Sequence, residues 1–326
     1  MDKHDLLLAT IAHKPTPRTP VALWRHWPVE DQSADLLAKA TIDFQRRFDF
    51  DLIKVTPSQT FVGEDLGLRG HYDGNPEGDL VQGERPIRTI EQWEAIAPQP
   101  VTTGALARQI RCLELIAAEA GDTPFLQTIF NPLTVANCLA GPNAAIWRRR
   151  YPDAFKRGFD AIIETWGGFV AAVMKTGAAG IFFSTADASY RTMSEEEYRR
   201  WGRTSDLAVA EPSKAGWLNL LHVHGEELML DVVADYPFQI VNWDDKRSGP
   251  TLAEGAKIFA GKAVAGGLAQ WSTLLDGSPA QVAQQAREGI AQMGGRGYVL
   301  AAGCVTPIPV AEANIRAAIA VARGAA

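Results

Sequence analysis

The chain has 326 residues, 46% hydrophobic and 21% charged, a composition that permits a large packed core and argues against a disordered or fibrous chain. Its net charge is −6 and its sequence pI near 5.6, and Lys and Arg are dispersed apart from the run Arg148–Arg150, which excludes the basic stripe of a nucleic-acid binder. Cys112, Cys138 and Cys304 are too few and too scattered for a disulfide framework, and no run approaches the ~18 apolar residues of a membrane span, so a cytoplasmic protein without membrane partners is expected.

Apolar runs closed by turn residues predict strands over 21–25, 51–57, 124–130, 180–185, 218–224, 239–243, 263–268 and 297–304. Helical patterns fill 34–47, 104–120, 153–176, 194–210, 251–260 and 278–293. Ser194 stands as a cap before three glutamates, and Ser278 precedes Pro279 at a first helical position. Near-continuous apolar strands alternating with helices are the pattern of a parallel sheet covered on both faces. Eight such units predict an α/β protein, a closed (β/α)8 TIM barrel that takes residues 1–326 as a single domain. A doubly wound open sheet is the alternative, and the lack of a Gly-x-Gly-x-x-Gly after an early strand counts against it. Residues 69–86, rich in Gly, Asp and Pro, form the longest irregular segment, as expected of a lid, a binding loop or an interface element.

The chemistry concentrates at the expected C-terminal rim of that barrel. His222 and His224 are two apart in a strand and so face one side, while Gly225 and Glu226 end the strand where barrel active sites lie. Cys304 closes the eighth predicted strand at the same rim. Two imidazoles and one thiolate suit Zn²⁺, and three protein ligands leave a fourth position for substrate or water. The competing reading makes the histidines hydrogen-bonding pocket residues and Cys304 a small buried apolar group.

Around this set, Asp187 follows the fourth strand as a general base, a fourth ligand or a carboxylate that caps a turn. Asp244 and Asp245 follow the sixth, where a carboxylate can orient a ligand histidine. Arg25, His26 and Trp27 lie at the first-strand rim as candidate substrate contacts, Arg25 also as a catalytic group. Trp24, Trp27, Trp243 and Trp271 fall near strand ends and suit either an aromatic pocket or the core.

Over nearly its whole length the chain resembles the uroporphyrinogen decarboxylase superfamily, from "PVALWRHWP" and "FQRRFDFDLIKVTPS" through "FNPLTVANCLAG" to "GGLAQWSTLLDGSPAQV" and "GYVLAAGCVTPIPVAEANIRAAIAVA". The resemblance implies a (β/α)8 barrel. It also shows what is missing from the decarboxylase set. Arg25 matches the first of two substrate-binding arginines, but Val29 stands at the second. Ser58 replaces an Asp, Cys138 a Tyr and Cys304 a late His, while Thr185 stands for a Ser; Ser58 and Thr185 remain candidate substrate contacts. A substrate with many carboxylates needs fixed cations and its pyrrole nitrogens an anionic acceptor, so uroporphyrinogen is not the expected substrate.

The zinc-dependent corrinoid methyltransferases of the same superfamily carry His-x-Cys-Gly after the fifth strand and a second Cys at the end of the eighth. This chain has His222-Val223-His224-Gly225 and Gly303-Cys304, the same frame with His for the first Cys. The resemblance implies Zn²⁺ on His222, His224 and Cys304 and a methyl group moved between a small substrate and a corrinoid. No Asp-x-His-x-x-Gly segment is present, so the corrinoid is expected on a separate partner protein. Imidazole in place of thiolate leaves the site one charge more positive, which shifts the expected substrate from a thiol toward a methyl ether or a methylated acid. A divergent decarboxylase or lyase for a smaller acid and a non-catalytic metal or tetrapyrrole binder are the alternatives. A homo-oligomer is compatible with all three.

Overall fold

The computed structural model describes residues 1–324. Among them the strands are β1 Ile53–Val55, β2 Gly70–His71, β3 Val81–Gln82, β4 Phe125–Phe130, β5 Gly180–Thr185, β6 Leu220–Val223, β7 Ile240–Asn242, β8 Ala263–Leu268 and β9 Tyr298–Ala302. Seven of them form one curled, wholly parallel sheet in the order β1-β4-β5-β6-β7-β8-β9. The connections contain helices except that from β6 to β7, and the chain has a TIM-barrel-like α/β fold. Local chemistry starts the helices where the sequence indicates. Ser278 and Gln281 close a capping box with Pro279 at the first position, and Thr251 and Glu254 close another.

The strands are apolar on both faces because each face meets a different core. The residues of one face, including Leu52, Leu126, Phe182, Leu220, Ile240 and Val299, form a small cluster inside the curl. The alternate residues, such as Ile53, Val55, Ile181, Phe183, Leu221 and Val241, join a much larger cluster against the helices. The small cluster is the floor on which polar residues at the C-terminal strand ends stand.

Two expectations need correction. The predicted first strand, 21–25, makes a single parallel bridge, Val21 with Leu300, and among the described residues the main sheet has seven strands rather than eight. Ala22 N–H donates to Leu300 C=O (3.0 Å), Leu300 N–H to Pro20 C=O (2.8 Å) and Asp51 N–H to Val21 C=O (2.9 Å). Pro20 has no N–H with which to extend the ladder in one direction, and in the other the segment turns to a loop, Trp24 C=O accepting from both the N–H and the hydroxyl of Thr306 (2.8 Å each). The second concerns 69–86, which is not wholly irregular: β2 and β3 pair antiparallel within it. No helix is long and apolar enough to cross a membrane among the described residues.

Candidate functional site

His222 lies in β6 with its side chain on the inner face, next in register to Ser184 of β5 and Asn242 of β7. His224 follows the strand, its N–H donating to Thr185 C=O (2.8 Å), before Gly225 turns the chain away at φ +112°. Cys304 comes two residues beyond β9. The intervening Gly303 passes so close to the loop after β7 that a Cβ there would sit 2.7 Å from Asp244 Cα, so a larger residue would push Cys304 off the rim.

These three residues converge. One ligand atom from each of His222, His224 and Cys304 lies within 4.8 Å of the others. Cys304 Sγ is 3.7 Å from His222 Nε2 and 3.7 Å from His224 Nδ1. With Zn–S near 2.3 Å and Zn–N near 2.0–2.1 Å, a tetrahedral ion sets sulfur and nitrogen about 3.6 Å apart, so the donor set and its spacing fit zinc.

Asn242 decides which nitrogen of His222 faces the group. Its Nδ2 donates to Ala265 C=O (2.9 Å) and Ala302 C=O (3.1 Å), which turns Oδ1 toward His222 Nδ1 at 2.6 Å. An acceptor at Nδ1 places the proton there and leaves Nε2 with its lone pair toward Cys304. The sequence assigned this orienting role to Asp244 or Asp245. Asp245 instead accepts from Gly267 N–H (2.9 Å) and pairs with Lys246, and Asp244 accepts from Gln270 Nε2 (3.1 Å).

The three converging residues stand between two cavities. An outer vestibule of about 490 Å³ is lined by them with Arg191, Asp244 and Trp271 among others. An inner pocket of about 210 Å³ lies against the same three residues and adds Trp24, His26, Lys54, Phe130 and Phe182. Glu77 of the 69–86 segment lines both, and Asp79 the inner one, where it meets His26 Nε2 at 3.0 Å. Ile308 N–H bonds Pro76 C=O (2.7 Å) and ties that segment down over the pocket.

Of the other predicted contacts, Trp24 and His26 reach the inner pocket and five do not. Arg25 and Trp27 stack on each other, 4.5 Å from guanidinium to ring, and line a separate, larger cleft of about 550 Å³ with Phe44. Ser58 and Thr185 are buried outside both cavities, the former beside Thr60 and the latter at the end of β5. Trp243 is core: it packs on Phe259 and donates Nε1–H to Pro250 C=O (2.9 Å). Asp187 is not in the metal-competent group; it is buried, accepts from Thr134 Oγ1 (2.9 Å) and Asn137 Nδ2 (3.1 Å), and burial raises its pKa. Those bonds fit the turn-anchoring alternative.

The sequence reading passed over Lys54 and Asn242. Each is a polar residue inside an apolar run, Lys54 between Ile53 and Val55 and Asn242 between Val241 and Trp243, and that interruption on the inward face was the available signal.

The uroporphyrinogen decarboxylase (URO-D) family pattern matches residues 2–325. Among solved structures, a methyltransferase from Methanosarcina mazei superposes with a TM-score of 0.86 at 20% identity, over 99% of this chain and 98% of that one. A B12-independent methionine synthase from Shewanella sp. follows at 0.60 and 12% identity, over 94% and 92% of the two chains. A putative vitamin-B12 independent methionine synthase from Listeria monocytogenes gives 0.59 and 12%, over 95% and 97%. At these identities the likeness is one of fold. No curated protein matches the chain. With the family pattern running almost from end to end, the chain belongs to the uroporphyrinogen decarboxylase (URO-D) family.

Proposed function

We propose that the chain is a cytoplasmic, single-domain, zinc-dependent methyltransferase that moves a methyl group between a small substrate and a corrinoid carried on a separate protein. In this reading the fold is a (β/α)8 barrel whose first strand is shortened to the bridge at Val21. The carrying observation is the spacing of His222 Nε2, His224 Nδ1 and Cys304 Sγ at the mouth of the fold. The three structural neighbours, named as a methyltransferase, a methionine synthase and a putative methionine synthase, support the same reaction class.

The bound ion would act as a Lewis acid, lowering the pKa of a thiol or polarising an ether or carboxyl oxygen. The protein's own residues do the rest. Asn242 holds His222 in the tautomer that offers Nε2. The 69–86 segment, fastened through Asp79 and Pro76, forms part of the wall of the inner pocket, and the vestibule is the face a docking partner would meet.

Two measurements test this. Metal analysis of the purified protein is expected to find about one zinc per chain. Methylcobalamin, or a methylated corrinoid protein, is expected to lose its methyl–cobalt absorbance when a thiol is offered with the enzyme, and cob(I)alamin to gain it when an aryl methyl ether or methylated acid is offered. Stoichiometric zinc with no corrinoid change for any of these acceptors and donors would sink the methyl-transfer reading. Loss of Asn242 in an Asn242→Leu variant should weaken zinc binding about 10–100-fold, the usual cost of removing the group that orients a ligand histidine. Competition with a chromophoric chelator reads it.

A further inference from the structure

The ammonium of Lys54 is 9% exposed as a residue and has one hydrogen bond, to Thr56 Oγ1 at 3.1 Å, with no ion pair among the described residues. A buried cation without an anion is costly, and proteins keep one chiefly where something arrives to pair with it. Lys54 lines the inner pocket, whose walls include the rings of Trp24, Phe130 and Phe182. Phe182 lies 4.7 Å from Lys54 Nζ and its ring centre is 5.5 Å from that of His222, so one aromatic side chain touches both the cation and the metal-competent group. The neighbouring carboxylate, Asp79, is already committed to His26.

We propose that the inner pocket takes a small aromatic carboxylate, its carboxylate on Lys54 and its ring between Trp24, Phe130 and Phe182, with the far end of the molecule directed at His222, His224 and Cys304. At about 210 Å³ the pocket is below the ~300 Å³ lower bound of drug-sized ligand sites, which suits a single-ring acid and excludes a tetrapyrrole. Lys54 is then a specificity-determining residue: it selects acids over their neutral counterparts. The inference rests on the proposed transfer only in naming the acid as the methyl-bearing or methyl-accepting substrate.

Calorimetric titration with benzoate, in zinc-stripped and in zinc-loaded protein, tests the pocket apart from any turnover. Wild type is expected to bind benzoate saturably and in preference to benzamide, which has the same shape without the charge. Lys54→Met should weaken benzoate about ten- to a hundred-fold, the range of a charge-assisted hydrogen bond, and leave benzamide unchanged. The same substitution removes an unpaired buried charge and keeps the stem's volume, so the melting temperature should rise or hold. Absent or equal binding of benzoate and benzamide by wild type overturns the proposal, even if the variant does not fold. So does a folded Lys54→Met that binds benzoate like wild type. Benzoate binding that persists without zinc and without methyl transfer keeps this site while rejecting the proposed reaction.

Discussion

Cys304→Ser is expected to strip the protein of zinc while leaving its fold intact. A serine hydroxyl does not deprotonate as a coordinating thiol does, so the variant loses the one anionic donor among the three and keeps two neutral imidazoles. Removing a group that merely orients a ligand costs about 10–100-fold in metal affinity, so loss of a ligand itself should cost at least about a hundred-fold. Cys304 is only partly buried and follows the last strand of the sheet, so its replacement disturbs little packing. The two other cysteines provide the control: burial pushes the Cys112 thiol up to about 12 and raises that of Cys138, and neither lies in the group with His222. Chelator competition on Cys304→Ser and Cys138→Ala, with circular dichroism to check folding, separates the cases. Zinc held by Cys304→Ser as tightly as by wild type removes Cys304 from the ligand set.

Asp51→Ala is expected to destabilise the chain by about 2–3 kcal/mol, the cost of leaving a buried N–H without its acceptor and a half-buried guanidinium without its carboxylate. The Asp51 side chain is fully buried. It accepts two bonds from Arg18, at 2.7 Å and 2.5 Å, and one from Val21 N–H at 2.9 Å. Alanine leaves the guanidinium without its carboxylate and a buried N–H without an acceptor. The damage should be directional, because Asp51 pins the segment whose only ladder contact is the bridge to Leu300. Urea denaturation reads the stability, and hydrogen exchange should quicken at the amides of Ala22 and Leu300, which bond across that seam. A loss below about 1 kcal/mol would mean that burial of Val21 and Trp24 in the core, rather than Asp51, holds the segment.

The strands after the first were legible because each is an apolar run with turn residues at both ends: 180–185 and 263–268 agree with β5 and β8 residue for residue. The run 21–25 looked no different, since hydropathy records burial and not pairing. It is largely buried, but apart from the bridge to Leu300 of β9 its backbone partners lie in loops and in Asp51. The candidate site shows the same division. The two-residue spacing of the histidines put them on one face, and Cys304 was assigned to the same rim from its place at the end of a run. Rim residues were harder, because a strand end can direct a side chain inward, outward or along the sheet. Trp24 and His26 turn to the inner pocket, while their neighbours Arg25 and Trp27 stack over another cleft.

By itself the amino-acid order determined the α/β alternation and the identity of the three metal-competent residues, because periodicity and donor chemistry are local properties of the chain. Only the tertiary structure decided that those donors meet within 4.8 Å, that Asn242 governs the tautomer of His222, and that Lys54 stands as an unpaired cation in the pocket beside them. Each of these depends on strand register and on the curl of the sheet, which bring residues dozens to hundreds of positions apart into contact and leave no trace in any short window of sequence.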